Sequence, residues 1–121
     1  WQVGHVIDFM PTLLDLAGGE YAEGCPPAEG KSLSPILRDE QREQPEFLAW
    51  SIYGNHAWRE GDWKIVWDTS VDRWLLFDLG QDRSETRNLA DQHPDRVKAM
   101  AGRWNRWAVK CGVKRDEGKK G

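Results

Sequence analysis

Residues 47–67 read FLAWSIYGNHAWREGDWKIVW, a succession of strand-forming segments separated by short turn signals. Aromatic and β-branched residues favour strands, whereas Gly54-Asn55 and Gly61-Asp62 are typical of the turns that join neighbouring antiparallel strands. The pattern recurs in residues 73–78, RWLLFD, after a further turn. We therefore predict a four-stranded antiparallel meander whose strands are residues 47–53, 56–59, 63–67 and 73–78.

A long helix is predicted after this sheet. Pro94 suits the first helical position, with Asp91 or His93 before it as a cap, and Gly112 is suited to end the helix. Between these ends, apolar residues recur at helical spacing: Val97, Met100, Ala101, Trp104, Ala108 and Cys111. One apolar stripe on an otherwise charged helix predicts that it lies on one face of the sheet.

The N-terminal part of the chain has a different character. Asp8 is a candidate N-cap, Pro11 falls within the first turn, and Gly18-Gly19 ends a short amphipathic helix. Residues 20–44 are rich in proline, glycine and charge, and they are predicted to form a loop with one helical turn around Leu33, Ile36 and Leu37. A loop of that length is uncommon inside a compact domain, so we expect it to wrap over another surface.

The predicted fold class is α+β: a four-stranded antiparallel sheet packed by a long C-terminal helix and preceded by a helix and a long loop. Residues 46–113 are assigned to the subdomain of sheet and helix, residues 1–45 to the first helix and wrapping loop, and residues 114–121 to a disordered tail. The apolar run from Phe9 to Ala17 is too short to span a membrane. The net charge of −3 weighs against nucleic acid as a partner.

The chain is unusually rich in tryptophan, with eight in 121 residues. Packing within the core and the sheet is one interpretation, and an aromatic surface for a sugar or another protein is the alternative. The two cysteines, Cys25 and Cys111, can pair in an oxidising compartment, and the sequence leaves their pairing open.

The sequence contains no self-contained active site. Its serines lack the small-residue elbow of a catalytic nucleophile, and no paired metal spacing links its histidines, which are His5, His56 and His93. Three acidic residues cluster in a turn-rich stretch that lacks the alternating carboxylates of an EF-hand loop: Asp78, Asp82 and Glu85. A hydrogen-bonded turn is therefore favoured over a metal site in that stretch.

Three motifs follow one another in a fixed order along the chain. The first is HVIDFMPTLLDLAG at residues 5–18 with GKSL at residues 30–33, and the second is GNHAWREGDWKIV at residues 54–66. The third is LFDL at residues 76–79, which precedes Asp82, Glu85, Asn88 and Leu89. Together the motifs cover nearly the whole chain, and it resembles the C-terminal region of a type I sulfatase (arylsulfatase family, alkaline-phosphatase-like superfamily).

The resemblance implies a large α/β domain that ends with residues 1–45 and a smaller C-terminal subdomain formed by residues 46–113. It also implies hydrolysis of aryl or glycan sulfate esters by a formylglycine, made from the Cys or Ser of a C/S-x-P-x-R motif, with a calcium ion that polarises the sulfate. That motif is absent here, since PPAE follows Cys25. The catalytic and calcium-binding residues are therefore expected upstream of residue 1, and none is assigned to this chain.

In the family that this chain resembles, the start of the second strand of the small sheet approaches the mouth of the active site. Tyr53, Asn55 and His56 occupy that stretch and are the candidate substrate-binding residues, with a turn-fixing role as the alternative. Relatives often have Arg where His56 stands, and His-Glu where this chain has Ile52-Tyr53. The resemblance therefore does not carry a particular substrate over to this chain.

The predicted function is that of the C-terminal part of a sulfatase, which supplies fold and active-site rim but not the catalytic residues. An aromatic-rich binding or interaction module, or part of an inactive sulfatase-like protein, is the alternative. The expected partners are the rest of the sulfatase chain and a sulfate ester. An uncovered apolar helix predicts that the chain alone self-associates, and the resemblance favours an extracytoplasmic location.

Overall fold

A computed structural model of the chain describes residues 2–26 and 28–113. The predicted disordered tail, residues 114–121, lies outside the described residues. The chain divides into two compact units, Trp1–Pro45 and Glu46–Gly121. Across the described part of the chain, no helix has the length and apolar character needed to cross a membrane.

The second unit contains a four-stranded sheet in the order β1-β2-β3-β4, with every neighbouring pair antiparallel. Its strands are β1 (Leu48–Ile52), β2 (Asn55–Glu60), β3 (Trp63–Asp68) and β4 (Arg73–Asp78). One long helix, α3 (Pro94–Lys110), follows the sheet. The α+β class, the meander and the terminal helix are therefore confirmed.

The first hairpin turns one residue earlier than the sequence predicts. Tyr53 and Gly54 both have positive φ angles, 48° and 80°, and Ile52 pairs with Asn55 across the turn. Two positive φ angles are the signature of a type I′ turn, whose twist matches that of antiparallel strands. Asn55 is consequently the first residue of β2 rather than a turn residue.

The core of the second unit lies between the sheet and α3. Trp58, Ile65 and Leu76 are neighbours across three strands and form a buried row on one sheet face. The helix covers that row with its own buried residues, which are Met100, Trp104 and Ala108. The spacing of these three residues is the helical period that the sequence shows. The predicted apolar stripe is therefore the face packed on the sheet, except at Cys111, which follows the helix and is exposed.

The loop between β4 and α3 closes the outer edge of the sheet. The Leu89 N–H donates to the Leu76 carbonyl at 2.8 Å, and the Asn88 side-chain oxygen accepts from the Leu76 and Ala90 N–H groups at 3.0 Å each. The same loop is organised by Asp82, which accepts from the Arg87 N–H at 2.7 Å. An exposed strand edge is a template for aggregation, and these bonds satisfy the β4 edge locally.

In its described residues, the first unit contains a 3-10 turn, Val6–Asp8, followed by α1 (Phe9–Ala17) and the short α2 (Ser34–Leu37). Gly18 ends α1 in the left-handed conformation with φ of 65°, and the Gly19 N–H donates to the Leu14 carbonyl at 2.9 Å. These features form a Schellman-type stop, as the glycine pair predicts.

Asp8 does not cap α1 in the way that its position suggests. Its carboxylate accepts from the His5 N–H at 2.8 Å, which completes the 3-10 turn, and from the Lys31 N–H at 2.9 Å. The buried Arg42 guanidinium donates to the same carboxylate at 3.0 Å. Burial alone raises the pKa of Asp8, but the Lys31 and His5 N–H groups and then Arg42 outweigh it, so the pKa lies below its ordinary value.

The loop of the first unit lies directly on α1 over residues 30–34. A Cβ on Gly30 would stand 2.1 Å from the Ile7 carbonyl oxygen, so only glycine allows this approach. The Leu33 N–H then donates to the Thr12 hydroxyl at 2.8 Å, and the Ser32 hydroxyl donates to Asp15 at 2.7 Å. The GKSL stretch is thus fixed by backbone clearance and by polar contacts to one helix face.

Candidate functional site

The candidate residues Tyr53 and Asn55 lie at the turn that joins β1 and β2. Tyr53 is 94% exposed. Asn55 accepts with its side-chain oxygen from the N–H and the hydroxyl of Thr69, at 3.4 and 3.3 Å. Thr69 belongs to the turn after β3, so Asn55 joins two neighbouring turns at the same end of the sheet.

The His56 side chain lies in a different environment from those of Tyr53 and Asn55. Successive strand residues face opposite sides of the sheet, so His56 and Asn55 point to opposite faces. Its imidazole is buried against α3, with its ring centroid 4.2 Å from that of Trp104. The Ser51 hydroxyl lies 3.1 Å from His56 Nδ1. The structure therefore brings Tyr53 and Asn55 together at the turn surface and places the His56 side chain in the core, while the substrate-rim role of all three stays a prediction.

The tryptophans around Trp104 pack against one another rather than forming an exposed platform. Trp58 and Trp104 are buried, and none of the other tryptophans in residues 2–26 and 28–113 is classed as exposed. Trp74 meets both Trp67 and Trp104 edge-on, with interplanar angles of 70° and 62° and centroid distances of 5.6 and 5.7 Å. Edge-to-face contacts are typical of aromatic packing in cores, so these residues offer no coplanar sugar platform.

A cleft at the opposite end of the sheet is a feature that the sequence did not reveal. Its volume is about 470 Å³. Its walls come from the start of β3, the end of β4 with the loop after it, and the residues just before α3: Trp63, Asp78, Gln81, Asp82, Arg87, Leu89, Gln92 and His93. Because these residues are spread over three elements, no local spacing in the sequence could have indicated them.

The carboxylates of the cleft are engaged as hydrogen-bond acceptors within their own loop. Asp78 accepts from the Gly80 N–H at 3.0 Å and from the Gln81 side-chain amide at 3.1 Å. Asp82 accepts from the Arg87 N–H and from the Thr86 hydroxyl at 3.2 Å. The Arg87 N–H is the main reason that the pKa of Asp82 lies below its ordinary value. The acidic cluster is therefore the hydrogen-bonded turn that the sequence favours.

The calcium ion and formylglycine that the resemblance implies have no candidate residues in the part of the chain that the structure describes. Over the described ranges, no three His, Cys, Asp or Glu side chains converge in a way that could hold a metal ion. The sequence has no C/S-x-P-x-R motif that would give a formylglycine. Cys25 and Cys111 are exposed and carry free thiols. We therefore assign no calcium ligand and no nucleophile to these residues.

Comparison with known proteins gives a consistent result. No family model matches the chain. It is 27% identical over 126 residues to an uncharacterized sulfatase of Schizosaccharomyces pombe, a match that covers 89% of this chain and 22% of that protein. It is 37% identical over 89 residues to the choline-sulfatase of Rhizobium meliloti, with 70% of this chain and 17% of that protein covered.

Comparison with solved structures also finds sulfatases. The structure of a 2-O GAG sulfatase superposes with a TM-score of 0.66 at 21% identity, over 88% of this chain and 25% of that one. The chain thus spans about a fifth of the length of the curated relatives described above. Sequence and fold agree along most of its residues, and the chain corresponds to the C-terminal region of a sulfatase.

Proposed function

We propose that this chain acts as the C-terminal part of a sulfatase that hydrolyses sulfate esters, to which it contributes fold and an active-site rim but no catalytic residue. The observation that carries the proposal is the 37% identity to a choline-sulfatase along 89 residues. In this proposal, formylglycine and calcium chemistry belongs to residues outside the chain, whose sequence has no C/S-x-P-x-R motif. Residues 1–45 are the end of the large domain, and residues 46–113 are the C-terminal subdomain.

The backbone of Tyr53 supports a rim at the β1–β2 turn. An exposed aromatic residue with φ of 48° is uncommon, because a side chain crowds the backbone in the left-handed region. Asn is the residue that a type I′ turn favours at this position. Strained residues of this kind concentrate at functional sites, which supports substrate contact by Tyr53 and Asn55. In this proposal, His56 supports their turn from inside the core.

The partner that the proposal requires is the rest of a sulfatase chain. The 3-10 turn and α1 carry a row of exposed apolar side chains at helical spacing: Val6, Phe9, Met10, Leu13 and Leu16. Exposed apolar patches of this kind mark packing surfaces. Without its partner, the chain is expected to cover this row by self-association. An extracytoplasmic location is part of the same proposal.

The substrate is proposed at the level of a sulfate ester, which includes aryl sulfates, sulfated glycans and choline sulfate. The names of the relatives include both a choline-sulfatase and an N-acetylglucosamine-6-O-sulfatase, so the similarity does not select between a small ester and a sugar ester.

An assay of the 121-residue chain alone tests the claim that it lacks the chemistry. We expect no sulfate release from p-nitrophenyl sulfate, choline sulfate or N-acetylglucosamine-6-O-sulfate, with or without added calcium. Turnover by the pure chain that disappears in a Tyr53, Asn55 or His56 variant would overturn the proposal, because these residues would then carry chemistry themselves.

A further inference from the structure

The cleft lined by Trp63, at the end of the sheet remote from Tyr53, has the dimensions of a ligand site. Its volume of about 470 Å³ falls within the range of roughly 300–1,000 Å³ that small-molecule pockets occupy. It lies wholly within the second unit and is separate from the proposed rim, since Trp63 pairs with Asp78 at one end of β3 and Asp68 pairs with Arg73 at the other.

The aromatic wall of the cleft is held in place from two sides. Trp63 is half-buried at the margin of the core. The Arg96 guanidinium lies 4.2 Å from the centroid of its ring, and the His93 ring meets it edge-on at 5.5 Å. Contacts of this kind fix an indole in one orientation, so Trp63, which lines the cleft, is preorganised there.

The polar walls offer both hydrogen-bond acceptors and donors. A carboxylate accepts about four hydrogen bonds. Asp78 receives two, from the Gly80 N–H and the Gln81 amide, so acceptor capacity remains there. Asp82 already accepts from Arg87, Thr86 and Ser84 and has little capacity left. Among the lining residues, Arg87 and Gln92 carry the side-chain donors, a guanidinium and an amide. Neither side chain makes a hydrogen bond or ion pair with another described residue.

The balance of charge in the cleft selects the class of ligand. The lining residues include two carboxylates, one guanidinium and His93, and the Arg96 guanidinium lies on the Trp63 ring, so the cleft carries no large excess of either sign. A sulfate or phosphate group would be repelled by Asp78 and Asp82, and a cation would meet Arg87. Vicinal hydroxyl groups, which donate and accept together, match planar carboxylate, amide and guanidinium groups arranged around an apolar ring face.

We propose that this cleft is a saccharide subsite that binds an uncharged sugar residue, with Trp63 against the apolar face of the ring and with Asp78, Arg87 and Gln92 bonded to its hydroxyls. The link to hydrolysis rests on the proposed function, in which the sugar would be a unit of a glycan substrate away from the scissile sulfate. The binding itself does not rest on it, because the subsite lies within this chain.

Titration of the 121-residue chain with three neutral oligosaccharides, chitotetraose, cellotetraose and xylotetraose, tests the subsite. Binding is followed by the shift of the Trp63 indole N–H in the NMR spectrum and by calorimetry. We expect at least one sugar to bind with a Kd of about 1 mM or tighter and to move the Trp63 signal. Sodium sulfate and glycerol, the anion and small-polyol controls, should leave the signal unchanged.

Three variants make the outcome decisive. Arg87→Ala and Gln92→Ala, both exposed residues, should each weaken binding by about tenfold, the cost of losing one good hydrogen bond. Arg106→Ala removes an exposed arginine of α3 that does not line the cleft and should bind the sugar as the unaltered chain does. No binding by any of the three sugars, equal losses in all variants, or a Trp63 shift with sulfate would overturn the proposal. The test does not measure sulfate release. A failure to bind sugar would therefore overturn the subsite without deciding on the proposed function.

Discussion

At the residue scale, the buried pair of Asp8 and Arg42 is the contact on which the first unit depends most. The Arg42 side chain also donates to the Lys31 and Val3 carbonyls, at 2.9 and 2.7 Å, so it joins three segments of the chain. Arg42→Ala would leave a buried carboxylate unpaired, which costs about 3–5 kcal/mol. We expect the free energy of unfolding to fall by that amount in a urea titration in which hydrogen exchange of the α1 amides reports on the first unit. Arg38→Ala, an exposed control, should change the free energy of unfolding by less than about 0.5 kcal/mol.

The same pair gives a pH dependence whose sign follows from the lowered pKa of Asp8. A carboxyl whose pKa is lower in the folded state stabilises the fold above its ordinary value, here 3.8, and loses that contribution as the pH falls through the folded value. The stability difference between the unaltered chain and Asp8→Asn should therefore be constant from about pH 7 to pH 5 and should shrink towards about pH 3. A difference that grows on acidification would contradict this account of Asp8.

The Tyr53 backbone supplies a prediction that separates stability from function. Tyr53→Asn places the favoured Asn-Gly pair in the type I′ turn and should raise the free energy of unfolding by up to about 1 kcal/mol. If Tyr53 contacts substrate, the same change should raise KM in a sulfatase that carries this segment. A stabilised variant with unaltered KM and kcat would remove Tyr53 from the proposed rim.

At the element scale, Trp104 is the largest of the fully buried side chains that α3 packs on the sheet. Trp104 has no exposed surface, contacts His56 and Trp74, and donates from its indole to the Trp50 carbonyl at 3.1 Å. Trp104→Ala removes these contacts and should cost about 3–5 kcal/mol in thermal or urea unfolding. Val109→Ala on the same helix, at a position 82% exposed, should cost less than about 0.5 kcal/mol. Equal losses in the two variants would show that α3 does not pack as described.

The secondary-structure elements are the part of the fold that the sequence predicts best. Alternation and turn signals predict β2, β3 and β4 closely, because each strand buries one face and is bounded by glycine or aspartate. The placement of His56 in the core is harder to predict, since it depends on a one-residue shift of the turn at Tyr53. The buried role of Asp8 and the cleft at Trp63 depend on residues far apart along the chain, which no local pattern reveals.

At the scale of the whole molecule, the exposed apolar row on α1 predicts the behaviour of the chain in isolation. Light scattering should show self-association that rises with concentration, and replacing Phe9 and Leu13 by Gln should return the chain towards the monomer. Exchange of Thr69 for Ala, at an exposed polar turn position, is a control that should leave the association unchanged. A monomer at all concentrations would contradict the packing role that we propose for this row.

The central claim is that this chain is a working C-terminal part of a sulfatase. It is tested most directly by a chimaera in which this chain replaces the matching segment of the Rhizobium meliloti choline-sulfatase, to which it is 37% identical. Sulfate release from choline sulfate is then measured. The account predicts turnover by the chimaera, loss of that turnover when Trp104→Ala disrupts the core, and none by the isolated chain. A folded chimaera that releases no sulfate, while the parent enzyme does, would contradict it.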